Sequence, residues 1–158
     1  MSEKISLNIF GEGTQKNEIK RFIDSNNIPN VNIYDRVSDK EIKNVFNLSD
    51  ALVVHLKKDN LFTMTIPSKT QAYLLSGKPI LMAVQGEAAS IIENARAGAV
   101  CEPENIESIV GGILTLYSQS EDKIEQLGKN GRIFYDQTMQ MSKGVDEFTK
   151  LFRELIKQ

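Results

Sequence analysis

Apolar and polar positions alternate with period two at the head of the chain: Ile5, Leu7 and Ile9 are separated by Ser6 and Asn8, which predicts a strand. The turn Gly11–Glu12–Gly13–Thr14 follows. Ile19, Phe22 and Ile23 then mark a short helix, ended by Asn26, Asn27 and Pro29. Val31–Asn32–Ile33–Tyr34 predicts a second strand. Ser38 and Glu41 have capping-box spacing ahead of a helix whose apolar stripe is Ile42, Val45 and Phe46. The continuous apolar run from Ala51 to Leu56 predicts a strand buried on both faces. Thr65–Ile66–Pro67–Ser68 predicts a helix entry with Pro67 in the first turn, and Gly77 suits the left-handed position that ends that helix.

Pro79 to Val84 predicts the next strand. Ile91, Ile92 and Ala95 predict a helix closed by Gly98, and Ala99 to Cys101 a last short strand. Asn105 caps a helix carrying Ile106, Ile109, Val110, Ile113 and Leu114. Two more helices are expected near Asp122–Tyr135 and Lys143–Lys157; the second has Val145, Phe148, Leu151, Phe152 and Leu155 on one face. Strands alternate with helices throughout. That order implies an α/β fold, a Rossmann-like parallel sheet with helices on both faces. Ligands of such sheets bind beyond the carboxyl ends of the strands. The turns after Phe10, Tyr34, Leu56 and Val84 are therefore where chemistry is sought.

Composition narrows the picture modestly. The 158 residues suit one domain, and 41% hydrophobic residues can fill a core. A net charge of −2, with no basic patch interleaved with aromatics, gives no support to nucleic-acid binding. The single cysteine, Cys101, permits no internal disulfide and fits a reducing, cytoplasmic setting; its apolar neighbours mark it as a small core residue. No stretch is long and apolar enough to span a membrane. Met1–Ser2–Glu3–Lys4 lacks the form of a signal peptide, because a strand-like segment follows at once.

Three features could carry chemistry. Gly11 and Gly13 stand between a strand and a helix, where backbone N–H groups can approach a phosphate or sugar; a tight turn without ligand is the equal alternative. Asp35, 22 residues beyond Gly13, invites a dinucleotide-binding reading, but Lys16 stands where that fingerprint needs its third glycine. At Pro67–Ser68–Lys69, helix-start N–H groups, a hydroxyl and an ammonium suit a diphosphate; an ordinary capped helix with a solvated lysine is the plainer reading. The only histidine, His55, lies in an apolar run and reads as a buried, hydrogen-bonded core residue. No Cys/His cluster has metal-ligand spacing, and no cofactor is implied.

The order of these pieces is more specific than any one of them. Gly11-Glu12-Gly13, Leu48-Ser49-Asp50-Ala51-Leu52-Val53-Val54, Ile66-Pro67-Ser68-Lys69 and Leu75-Ser76-Gly77-Lys78-Pro79-Ile80-Leu81 succeed one another. Gly86-Glu87, Ala97-Gly98-Ala99-Val100 and Glu102-Pro103-Glu104-Asn105 complete the series. It resembles the C-terminal domain of glycosyltransferase family 4, one half of a GT-B fold. The nearest flavour is the bacterial group that builds surface polysaccharides, including transferases of amino-deoxy sugars such as N-acetylfucosamine.

The resemblance implies a glycosyltransferase domain, residues 1–158, that binds a nucleotide-sugar donor, most often a UDP-sugar. By position, the loop after Tyr34 (Asp35, Arg36 and Val37) would hold the base, largely through backbone groups, and Gly11 and Gly13 would border the donor sugar and phosphates. Pro67, Ser68 and Lys69 would face the diphosphate. A typical family member carries two glutamates eight positions apart on this segment, the second gripping the ribose; here Met64 and Ala72 stand in their places, and Gln71 is the nearest substitute. The resemblance further implies that a first strand–helix unit and an N-terminal acceptor domain lie upstream. It also implies that the helices near 121–157 pack partly against that domain, and that the full-length enzyme works in the cytoplasm, at the inner face of the membrane. The fragment alone is expected to be inactive. The alternative is a nucleotide-binding α/β module without chemistry.

Overall fold

A computed structural model describes residues 4–156. Met1–Glu3 and Lys157, which enter the readings of the two termini above, lie outside the described residues. Contacts divide the chain into two compact units, Met1–Asn44 and Val45–Gln158.

The first unit is a single strand–helix–strand crossover. β1 (Leu7–Phe10) and β2 (Val31–Tyr34) pair in parallel, Leu7 opposite Val31 and Phe10 opposite Tyr34, with α1 (Lys16–Ser25) between them in sequence. Parallel neighbours require such a crossover, since a tight turn can only return the chain antiparallel. The strands finish side by side, with the Phe10 and Tyr34 rings stacked 4.8 Å apart. The capping box forms as expected: the Glu41 carboxylate accepts the Ser38 N–H at 2.9 Å and the Ser38 hydroxyl at 2.6 Å. These bonds hold the Glu41 carboxyl below its usual range. The box opens α2 (Ile42–Leu48), within which the division between the units falls.

The second unit holds the larger core. Its elements are β3 (Leu52–His55), α3 (Asn60–Thr63), α4 (Ser68–Ser76), β4 (Ile80–Ala83), α5 (Glu87–Ala95) and β5 (Gly98–Val100). α6 (Ile106–Tyr117) and α7 (Glu121–Phe134) follow, then a π-helical turn (Tyr135–Met139) and α8 (Met141–Ile156). The three strands pair in parallel in the order β3–β4–β5. Every side chain of β4 is buried. Ile80 and Met82 pack with Leu74, Ala88, Ile91 and Ile92 from α4 and α5. Leu81 and Ala83 point the other way, to Cys101 and to Leu116 of α6. Helices therefore cover both faces of this sheet, and each large apolar side chain so buried contributes about 1.5–3 kcal/mol. Cys101 is 4% exposed and burial pushes its thiol up, so it is the small core residue its neighbours suggest.

Several local expectations are corrected. The strand buried on both faces is β4, not the Ala51–Leu56 run: in β3 burial alternates, and Val53 is 39% exposed. The reason is position, since β4 has a partner on each side and β3 ends the three-strand order. The helix expected to close at Gly98 is closed by Arg96, left-handed at φ 51°. Gly98 instead begins β5, because a Cβ there would lie 1.8 Å from the Ile80 carbonyl oxygen. Pro67 is the cap residue before α4, with extended backbone at φ −58° and ψ 135°, rather than a member of its first turn. Gly77 does end α4 in the left-handed conformation, φ 70°.

α8 matches its amphipathic forecast but finds little to cover it. It meets the π-helical turn at its start. Val145, Phe148, Leu151, Phe152 and Leu155 all remain more than half exposed along one side.

Candidate functional site

A cleft of about 260 Å³ opens at the carboxyl end of β3. Val54, His55 and Leu56 form one wall, and Thr65, Pro67, Ser68 and Lys69 the other, with Phe62 between. Two local structures build the second wall. Asp59 caps the one-turn helix α3, its carboxylate accepting the Leu61 N–H at 2.8 Å, and so brings Phe62 to the cleft. Pro67 then turns the chain into α4, whose first residues, Ser68 and Lys69, line the cleft. Gly86 holds this wall close to the sheet: its backbone passes so near Thr63 that a Cβ would sit 1.9 Å from the Thr63 carbonyl oxygen.

The start of α4 has donors to spare. The Pro67 carbonyl accepts the Thr70 N–H at 2.8 Å, but no side chain caps the helix. No hydrogen bond among the described residues takes the N–H of Ser68 or Lys69. Lys69 is exposed and enters no ion pair among the described residues. Orphan N–H groups, the positive end of the helix dipole and a free ammonium make a local demand for an anion. Pro67, Ser68 and Lys69 all line this cleft. Gln71 is exposed on α4 but is not part of the cleft lining.

His55 differs from its expectation. It is exposed, not buried, because β3 turns that face outward at its end. It is hydrogen-bonded, however: Nε2 accepts the Glu104 N–H at 3.3 Å. Leu56 borders one of the turns where chemistry is sought, whereas sequence reasoning missed the apolar lining residue Phe62. The signal for Phe62 was Asp59, a helix-capping residue ahead of a segment too short to show helical periodicity.

In the first unit, the parallel register places the turn at Gly11–Gly13 beside the segment that carries Arg36 and Val37. Gly13 is open, with nothing within 4 Å of a Cβ placed there. The Gly11 N–H is committed to the Tyr34 carbonyl at 3.2 Å, whereas the Gly13 N–H has no partner among the described residues. Arg36 is exposed and Val37 half-buried. Asp35 is claimed by Lys16, whose ammonium also meets Glu12 at 2.8 Å. The hydrogen bond from Lys16 holds the Asp35 carboxyl below the usual carboxylate range, and Asp35, then Glu12, hold the Lys16 ammonium above its own. The lysine that breaks the dinucleotide fingerprint therefore also engages the acid that the fingerprint would leave for a ribose.

A shallower depression along α8, lined by Asp146, Thr149, Lys150, Arg153 and Glu154, lies on the flank of one helix. Among the described residues no three metal-ligating side chains converge, and no helix is long and apolar enough to cross a membrane.

Comparison with known proteins bears on this geometry. A glycosyltransferase from Rickettsia africae ESF-5 superposes with a TM-score of 0.81 at 17% identity, covering 99% of this chain and 42% of that one. The Anabaena protein HepE, solved in complex with UDP, gives 0.71 at 14% identity, covering 96% and 41%. WaaG, a glycosyltransferase involved in lipopolysaccharide biosynthesis, gives 0.68 at 17% identity, covering 85% and 34%. At such identities the likeness is one of fold, that of a GT-B glycosyltransferase domain, and the chain spans about two fifths of the length of the first of these structures. No curated protein matches the chain. The family model described as glycosyl transferases group 1 matches residues 1–134, most of the length, and the chain belongs to that family.

Proposed function

We propose that this chain is the donor-binding domain of a glycosyltransferase that uses a nucleotide sugar, most readily a UDP-sugar, in polysaccharide synthesis. The observation that carries the reading is the uncapped start of α4, with N–H groups and a Lys69 ammonium that have no partner among the described residues, in a cleft at a strand's carboxyl end. A nucleoside diphosphate supplies the anion that this arrangement lacks. During transfer, charge grows on the leaving diphosphate, and fixed N–H groups and an ammonium stabilise it most where charge develops. Gln71 is the side chain nearest position 72 that could meet the ribose. Within the first unit, the turn at Gly11 and Gly13 and the neighbouring segment with Arg36 and Val37 are a separate candidate for donor contacts. HepE, of the same fold, was solved with UDP.

Transfer would need an acceptor-binding partner domain, which this reading assigns to a longer polypeptide acting at the cytoplasmic face of a membrane. By itself the chain is expected to bind UDP weakly, in the millimolar range, on the order of −4 kcal/mol, and to turn over no sugar nucleotide. Met64 and Ala72, in place of the family's glutamates, favour a second reading: a nucleotide-binding module that has lost its chemistry.

Titration with UDP, ADP and NAD, followed by NMR, tests the proposal. The Lys69→Ala variant should bind UDP about tenfold more weakly, the equivalent of one charge-assisted hydrogen bond. NAD binding that needs Asp35 and ignores Lys69 would replace the glycosyltransferase reading with a dinucleotide one.

A further inference from the structure

We infer that His55 is a diphosphate-contacting residue, held in one orientation so that its Nδ1–H serves the cleft. The inference rests on the donor-binding reading above and adds a ligand group that neither the motifs nor the family likeness assigns.

The ring is fixed from behind. Nε2 accepts the Glu104 N–H, and a nitrogen that accepts carries no proton, so the ring hydrogen sits on Nδ1. Nothing among the described residues bonds to Nδ1. The residue that fixes the ring is itself clamped. Glu104 adopts φ 60°, a left-handed backbone that costs a side-chain-bearing residue free energy and persists only when its surroundings enforce it. Here its carboxylate accepts the Lys58 N–H at 2.8 Å, while the Lys58 ammonium meets Glu102 at 3.0 Å. Glu102 also accepts from the Asn105 side chain, and Asn105 caps α6 through the Ser108 N–H. The turn after β5 is thereby locked to the turn after β3, and its backbone presents one N–H to the imidazole.

An imidazole set in place this way offers a single donor at a fixed bearing. It lines the same cleft as Ser68 and Lys69. A diphosphate suits that set because its oxygens only accept, whereas a sugar hydroxyl would also need an acceptor. Lys69 and the α4 N–H groups would take one side of the diphosphate, and His55, on the opposite wall, the other.

Two substitutions separate this role from a merely structural tie. His55→Gln places an amide oxygen where Nε2 was, so it can keep the bond to Glu104, but offers nothing at the Nδ1 position. His55→Asn places an amide N–H near Nδ1 and gives up the bond to Glu104. UDP and inorganic pyrophosphate are titrated into the native chain, both variants and Lys69→Ala, with urea unfolding measured alongside. The expected result is about tenfold weaker binding of both ligands by His55→Gln at native stability. His55→Asn should bind within about threefold of native despite a lower unfolding midpoint, because a single neutral bond is lost. The reverse order, or no effect of either variant while Lys69→Ala still weakens UDP, overturns the role of His55 and leaves the donor-binding reading standing. Native chain and Lys69→Ala alike failing to respond to UDP overturns both.

Discussion

The Gly98→Ala variant is expected to unfold in about 2 M less urea than the native chain, a loss of roughly 3 kcal/mol or more. The cause is a single contact. Gly98 opens β5 opposite Ile80, and an added Cβ would lie 1.8 Å from the Ile80 carbonyl oxygen, with the Ile80 nitrogen at 2.7 Å. These are backbone atoms of the one strand whose side chains are all buried, so neither partner can swing aside. Relief requires β5 to leave β4, and with it the bonds Ile80 N–H to Ala97 and Cys101 N–H to Met82. Gly111 in α6 is the control, since nothing lies within 4 Å of a Cβ there and the backbone is helical. Gly111→Ala should raise stability by about 0.5–1 kcal/mol through the unfolded chain's lost freedom. Equal midpoints for Gly98→Ala and the native chain would contradict the pairing of β5 with β4.

Ala72→Glu is expected to tighten UDP binding by one to two decades. Position 72 follows Ser68 by one helical turn, so the two share a face of α4, and Ser68 lines the cleft. Ala72 is exposed, so a longer side chain costs little packing. A carboxylate there would accept from ribose hydroxyls, and hydrogen bonds to charged groups contribute about 1.5–3 kcal/mol. The gain should vanish with a dideoxyribose analogue of UDP, which offers no such hydroxyls. Equal gains for both ligands would show that the carboxylate acts elsewhere and that position 72 does not meet the ribose.

The strand–helix order was readable because each element carries its own period and its own punctuation. Gly77 ends α4 left-handed, and Asn105 accepts the Ser108 N–H at 3.0 Å, both on the strength of local chemistry alone. What was misread depended on neighbours far away in sequence. Leu52 to Leu56 is uniformly apolar apart from His55, yet only the sheet order decides that β4 is covered on both faces while Val53 reaches solvent. Gly98 resembles a helix stop because glycine so often is one; its true constraint is a carbonyl oxygen eighteen residues earlier. The cleft was half legible. Pro67, Ser68 and Lys69 announce a helix start, whereas the tie between His55 and Glu104 joins two turns 49 positions apart and leaves no mark on either segment.

The bare side of α8 governs how this chain behaves as a solute. Val145, Phe148, Leu151, Phe152 and Leu155 form an adhesive band on a molecule whose formal charge is only −2, so electrostatic repulsion between copies is feeble. Sulfate and phosphate strengthen apolar burial by being excluded from protein surface. Buffers rich in them would draw the bands of separate molecules together, and dilute, low-salt solution is the medium that keeps the chain dispersed.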